Sequence, residues 1–315
     1  MPIIKTHYLW IVFLFAFSAV LPWSGCSGSG GEQKGPIVVA SKIDTEGSLL
    51  GQMIVLVLKD HNFNTVDKTQ FGTTDVIRKA IISGEIDIYP EYTGNGGFFY
   101  PDTDSSIWKN AEQGYLKVKE LDKKAHDLIW LKPAAANNTW AIAVRNDLMQ
   151  NKGLATLEDF ASYVNKGGKV KLACSEEFVS RPDSLPAFEK AYGFHLKKDQ
   201  LVILSGGNTA QTEKAAAEGT DGVNFAMAYG TDGALAVLGL HVLKDTLGVQ
   251  PVYEPAPIVR GAIFKKYPEL AQILDPVFSS LTLETLQKLN GEIVAQGKPA
   301  KDVAAEYLKS KNFIK

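Results

Sequence analysis

Cysteine is scarce in this chain of 315 residues, with only Cys26 and Cys174 present, so no disulfide framework holds the fold. The five histidines (His7, His61, His126, His195 and His241) are scattered, and neither HExxH nor paired CxxC spacing occurs, so no metal or cofactor is expected. A GxSxG nucleophile elbow, a GxxxxGK phosphate loop and a Rossmann glycine fingerprint are all missing, which leaves an enzyme little support. There is no excess of either charge: 33 Lys and Arg face 35 Asp and Glu for a net −2. A charge so near zero argues against a nucleic-acid partner, and without charge runs no polyanionic or membrane-surface partner is implied. Hydrophobic residues at 45% and charged residues at 22% describe an ordinary globular body, long enough for about two domains.

The N-terminus differs in kind. Lys5 and His7 precede an uncharged apolar run from Tyr8 to Val20. That run fits the apolar part of a signal peptide and falls short of the roughly 20 residues that span a bilayer. Small residues then lead to Cys26, as at a bacterial lipoprotein processing site. Trp23 stands where leucine is usual, so ordinary cleavage without lipid stays open. With Cys26 lipidated, Cys174 has no intramolecular partner and reads as a small buried hydrophobe. Residues 27–35 are rich in Gly and Ser and read as a flexible tether.

From there strands and helices alternate, which predicts a mostly parallel sheet covered on both faces. The β-branched run Pro36 to Ala40 leads to a helix with Leu50, Met53, Ile54, Val57 and Leu58 at helical spacing. A second strand covers Asn64 to Phe71, and Thr74 caps a helix carrying Ile77, Ala80 and Ile81. Ile86 to Tyr89 is a short buried strand that Pro90 should end, since proline offers no N–H to a ladder. The next residues, Glu91 to Gly97, form a glycine-rich turn of the kind that presents ligand contacts in α/β proteins, though an ordinary surface turn reads about as well. A helical stretch from Ser105 to Asp127 precedes strands at Leu128 to Leu131 and from Asn137 to Val144, where the first domain crossing is placed. Thr156 to Asp159 is a capping box, Val170 to Cys174 a strand, and Ser175 to Arg181 a loop. Another buried strand, Val223 to Tyr229, precedes Thr231, which should cap a helix to Leu238. Three prolines between Pro251 and Pro257 exclude helix, and two or three amphipathic helices close the chain.

An aromatic recurs beside predicted strand ends and crossings: Tyr92, Trp140, Tyr229 and Tyr253. Taken singly, each is better read as core; their shared placement raises them as walls of one cleft. Lys42 and Arg181 sit just past strands and could bring positive charge to it. Asp87 and Glu91 could be paired carboxylates, but a capped strand end accounts for them as well.

Six motifs in order, SKIDTEGSLLGQMIV, IDIYPEYTGNG, NNTWAIAV, CSEEFVSRPD, AYGTDG and PVYEPAP, resemble the substrate-binding component of osmoprotectant (glycine betaine, choline, carnitine) ABC transporters. The resemblance runs from about Ile37 to the C-terminus. It implies an α/β fold, the two-domain periplasmic-binding-protein (type II) clamshell with two hinge crossings. Residues 36–136 with 246–315 would form one lobe and 137–245 the other, behind a signal at 1–26. In that family an aromatic box holds a quaternary ammonium and a basic cluster holds a carboxylate. Carried over by position, the box resembles Tyr92, Trp140, Tyr229 and Tyr253, and the carboxylate side Lys42, Asn95 and Arg181. Trp140 replaces a more usual tyrosine, Asn95 a frequent threonine, and Asn138 stands where an acidic residue can occur, which leaves the solute's identity open.

The resemblance implies an extracytoplasmic monomer, tethered to a membrane by a lipid on Cys26 and docking on an ABC permease. A trimethylammonium group has no N–H, so ring faces can select it, each contributing about 0.5–2 kcal/mol when desolvated. Arg181 could fork onto a carboxylate while Lys42 acts as a point charge. Three alternatives stand beside this reading: another cationic or zwitterionic solute such as an amino acid, a sensory lipoprotein, and an exported enzyme on the same scaffold.

Overall fold

The computed structural model describes residues 33–206 and 208–315, so the expected signal segment and Cys26 lie outside the described residues. Ten strands occur among them: β1 (Lys34–Lys42), β2 (Phe63–Gly72), β3 (Ile88–Tyr92), β4 (Leu128–Trp130), β5 (Trp140–Arg145), β6 (Leu172–Ser175), β7 (Leu201–Leu204), β8 (Phe225–Tyr229), β9 (Leu240–Val242) and β10 (Pro255–Arg260). They form two five-stranded sheets, ordered β2-β1-β3-β10-β4 and β7-β6-β8-β5-β9. The chain leaves the first sheet after β4, builds the second, and returns with β10.

The sheets are mixed rather than mostly parallel. Four strands of each run the same way and one is reversed: β10 pairs antiparallel with β3 and β4, and β5 with β8 and β9, so each sheet has two parallel and two antiparallel pairings. In both sheets the antiparallel partner in the middle is the strand that arrives from the other sheet, so its direction is set by the crossing. The two lobes therefore share one plan, and both present strand ends to the space between them, where open α/β sheets place their ligands.

Local chemistry explains the elements that flank the site. Asp44 caps the helix Thr45–Asp60 by accepting the Gly47 N–H at 2.7 Å. That helix buries Leu49, Leu50, Met53, Ile54, Val57 and Leu58 in the first core, beside Tyr307 and Leu308 of the C-terminal helix. Each aliphatic side chain so buried contributes roughly 1.5–3 kcal/mol. On the opposite face of the sheet, Trp108, Trp130, Tyr89 and Ile258 form a second core. A third gathers Phe160, Phe178, Phe188 and Phe225 in the other lobe, and it reaches Tyr92, Trp140 and Tyr253.

Several local expectations give way. Lys34 and Gly35 of the expected tether belong to β1. Thr74 is the first residue of its helix, Thr74–Ser83, with Thr73 at the cap position and no side-chain hydrogen bond there. Pro90 does not end its strand: β3 continues to Tyr92, with Pro90 directly opposite Pro257 of β10. Neither ring nitrogen can donate, and neither is asked to. The Pro257 carbonyl turns away to accept the Leu131 N–H at 2.9 Å, and β1 pairs with β3 only at Val39–Ile88. Ser175 to Arg181 is not a loop but a helical turn, Glu176–Ser180, capped by the Ser175 hydroxyl on the Phe178 N–H at 3.0 Å. No helix follows Thr231. The segment 230–239 folds as successive turns laid against the helix Leu283–Gln296. There the Gln287 amide donates to the Gly230 carbonyl at 2.9 Å and the Asn290 amide to the Thr231 carbonyl at 3.1 Å. Gly233 presses on the same helix so closely that a Cβ would lie 1.6 Å from the Gln287 carbonyl oxygen.

That contact sets a measurable constraint. Gly233→Ala should force the turn off the helix and lower stability by about 1–3 kcal/mol, the usual cost of overpacking. Urea unfolding followed by circular dichroism reads the loss, and an unchanged midpoint would show that the turn gives way freely.

Candidate functional site

One cleft between the sheets is lined by all eight residues singled out for ligand contact: Lys42, Tyr92, Asn95, Asn138, Trp140, Arg181, Tyr229 and Tyr253. Its free volume is about 40 Å³, well below the roughly 300–1,000 Å³ typical of small-molecule sites, so a solute enters only as the lobes part.

The rings come from strand ends in both lobes. Tyr92 is the last residue of β3 and pairs with Pro255. Trp140 is the first residue of β5 and sits directly across from Tyr229, the last of β8. Cross-strand pairing brings their ring centroids to 4.8 Å, tilted by 44°. Phe178 backs Trp140 at 5.3 Å. Tyr253 lies on the return crossing, held by its N–H on the Asn137 side chain at 2.8 Å and its carbonyl on the Asn138 N–H at 2.9 Å. The glycines of the expected turn serve close packing. A Cβ on Gly94 would come within 2.7 Å of the Tyr253 ring, and one on Gly96 within 2.2 Å of Trp108. Beyond them Asn95–Phe99 is a short helix.

The basic residues are not free. Lys42 lies 4.9 Å from the Tyr92 ring centroid, with its ammonium 2.8 Å from a Glu91 carboxylate oxygen. Glu91 is fully buried and also accepts from the Tyr89 hydroxyl, the Tyr92 N–H and the Asn95 amide at 2.8, 2.7 and 2.6 Å. Arg181 forks onto Asp183 at 2.9 and 2.6 Å and donates to Glu177 at 3.0 Å. Its guanidinium stacks 4.3 Å from the Phe98 centroid and lies 6.0 Å from that of Trp140. Asp183 also accepts the Tyr253 hydroxyl at 3.0 Å, which joins the arginine to the ring wall. Asp87 and Glu91 do not act as a pair; Asp87 binds Arg260 and the Val38 N–H instead.

Acidic residues that sequence reading passed over complete the cleft. Asp44 and Glu177 line it, and Glu46 lies behind Tyr92, whose hydroxyl it accepts at 2.9 Å. Burial pushes the Asp44 carboxyl up from its ordinary value, against the opposing pull of the Gly47 N–H and Lys42. The Tyr229 hydroxyl is held well above the usual tyrosine range, first by burial and then by Asp44 and Glu177. One of these acids had a readable signal, since Glu177 stands four residues before Arg181, the spacing of a helical ion pair. Asp44 and Glu46 read only as residues of a polar turn. Cys174 is buried in the core of the second lobe, and burial alone pushes its thiol up to about 12.

Two lobes joined by two crossings, with a ring-lined cleft between strand ends, define a solute-binding protein of the clamshell class. Residues 35–310 match the family described as the substrate-binding domain of the ABC-type glycine betaine transport system, and the chain belongs to that family. It is 55% identical, over the full length of both chains, to the glycine betaine-binding protein YehZ of Escherichia coli K12. The solved structure of apo YehZ from Escherichia coli superposes with a TM-score of 0.65 at 59% identity, covering 88% of this chain and 99% of that one. A glycine betaine/carnitine/choline ABC transporter structure shares the fold, with a TM-score of 0.68 at 21% identity over 88% of this chain and 99% of that one. The protein is thus the extracytoplasmic substrate-binding component of an ABC import system. Among the described residues no helix is long and apolar enough to cross a membrane, and no group of His, Cys, Asp and Glu could hold a metal ion.

The buried Lys42–Glu91 pair predicts a large penalty on separation. Glu91→Gln leaves the ammonium without its counter-charge, and stability should fall by about 3–5 kcal/mol. Denaturant titration reads this, and a loss below about 1 kcal/mol, the scale of an exposed pair, would contradict it.

Proposed function

We propose that the protein captures a quaternary-ammonium solute of the glycine betaine type in this cleft and delivers it to an ABC permease by closing one lobe on the other. One observation carries the reading: four aromatic rings contributed by both lobes and their crossings line a single cavity, with Asp44 and Glu177 beside them. A methylated ammonium offers no hydrogen to share, so ring faces and the nearby negative charge are what can hold it. The 55% identical glycine betaine-binding protein of Escherichia coli supports the same solute class.

The carboxylate end of the solute meets a cation that already has partners. Arg181 carries Asp183 and Glu177, so a zwitterion engages it by exchange, with Glu177, the more weakly held, giving way. That exchange costs affinity and makes the site respond to whether the solute carries a carboxylate. The two cleft carboxylates also favour a second reading, a solute with a primary ammonium, because they supply acceptors that rings alone lack. Anchoring through a lipid on Cys26 belongs to the proposal, supported by the small residues before it. So do a monomeric state and the division into lobes at residues 36–136 with 246–315 and 137–245.

Calorimetric titration with glycine betaine, choline, carnitine and an amino-acid panel separates these readings. Glycine betaine should bind, and Tyr92→Ala and Trp140→Ala should each weaken it by about 2- to 30-fold, the span of one cation–π contact. Heat from primary amines alone would establish the second reading. No heat with any quaternary amine at millimolar concentration would refute the first.

A further inference from the structure

Glu46 stands behind the ring wall rather than in it, in the first turn of the helix Thr45–Asp60 and only 4% exposed. One of its oxygens accepts the Tyr92 hydroxyl at 2.9 Å and the Asn138 amide at 2.8 Å; the other accepts the Asn290 amide at 2.8 Å. Both amides reach on to the other lobe, Asn138 to the Thr231 hydroxyl at 2.7 Å and Asn290 to the Thr231 carbonyl at 3.1 Å. A single carboxylate thus gathers a cleft ring on β3, the outgoing crossing and the C-terminal helix Leu283–Gln296. Through the two amides it also holds the turn after β8.

We propose that Glu46 is a positioning residue for solute capture, its ionised carboxylate fixing the Tyr92 ring and tying that ring to the junction of the lobes. The inference rests on the quaternary-ammonium reading above and names the group that makes that site sensitive to pH. Four donors converge on Glu46, the Tyr92 and Thr231 hydroxyls and the Asn138 and Asn290 amides, and an ionised carboxylate has room for all four. Protonation takes up one of those four positions, and the Tyr92 hydroxyl is the partner free to rotate away. A phenol that donates to an anion is also polarised toward phenolate, which strengthens the ring face a cation meets.

The surroundings place the change of charge near neutrality. Burial pushes the Glu46 carboxyl from 4.5 up to about 7, with Asp44 adding in the same direction and hydrogen bonds from Thr231, Asn290 and Asn138 opposing. The titratable groups that face it are Asp44 from its own N-cap and Tyr92 from β3, whose hydroxyl burial and Glu46 itself raise well above its ordinary value. The partners from the crossing, the turn and the C-terminal helix are neutral. Lys42 lies over the Tyr92 ring and is paired with Glu91. Glu46 is therefore ionised above about pH 7 and protonated below it, so affinity should rise as pH rises.

The test is calorimetric titration of glycine betaine into the full chain across the neutral range, where neither the solute's carboxylate nor its quaternary nitrogen titrates. Wild-type affinity should rise about tenfold from the acid to the alkaline side, the equivalent of one pKa unit of coupling. Glu46→Gln should bind weakly with a flat profile. Tyr92→Phe keeps the ring and the fold but loses the hydroxyl link, and its profile should be flat too. A flat wild-type profile, or one that persists in both variants, overturns the proposal. Carbon-13 NMR of the Glu46 carboxyl in the unliganded protein is independent of the solute. A midpoint near neutrality supports the proposal even if the solute reading fails, and one near the ordinary 4.5 overturns it even if glycine betaine binds.

Discussion

The two crossing segments are bonded to each other, and the site depends on that. The Tyr253 N–H is held by the Asn137 side chain, its carbonyl by the Asn138 N–H, and the Thr139 hydroxyl donates to the Pro251 carbonyl at 3.4 Å. Paired extended segments give the lobes a common axis and fix Tyr253 over the cleft. Immediately beyond the pairing the outgoing segment enters β5 at Trp140 and the returning one enters β10 opposite Tyr92. Three of the four rings are therefore placed by backbone hydrogen bonds within a few residues of the junction. The fourth, Tyr229, is set by its register with Trp140.

Electrostatics then decides what this geometry recognises. Each cleft cation is matched in advance, Lys42 by Glu91 and Arg181 by Asp183 and Glu177, and Asp44 lines the same cleft. Matched charges suit a cleft that must exist empty, because an unpaired buried ion costs several kcal/mol. They also mean that affinity for a zwitterion is a difference between new contacts and contacts given up. The stacking of Arg181 on Phe98 belongs to the same balance, since the arginine follows β6 of one sheet and the ring follows β3 of the other.

Much of this was legible in the residues. Alternating patterns gave the α/β class, and the rings at strand ends stood out through their shared placement and the family resemblance, since each taken singly reads as core. The state of the basic residues was only partly legible, because pairing depends on which carboxylate the fold brings near: Glu177 shows a helical spacing to Arg181, but Glu91 and Asp183 differ on paper from no other acid. Asp44 and Glu46 were hidden for a related reason: a polar turn explains an acidic residue fully until burial is known. Pro90 misled because a proline ends a strand only where a neighbour needs its N–H, and that is a property of register. Thr231 misled because the cap-like sequence after it is overruled by tertiary contact, with Gly233 pressed to the helix Leu283–Gln296.

The central claim is that rings from both lobes enclose a methylated nitrogen. A crystal structure of the protein soaked or grown with glycine betaine tests it most directly. The account predicts the quaternary nitrogen within about 6 Å of the Tyr92, Trp140, Tyr229 and Tyr253 ring centroids, with the carboxylate turned toward Arg181. A solute bound with its nitrogen away from these rings, or held outside the cleft, would contradict it.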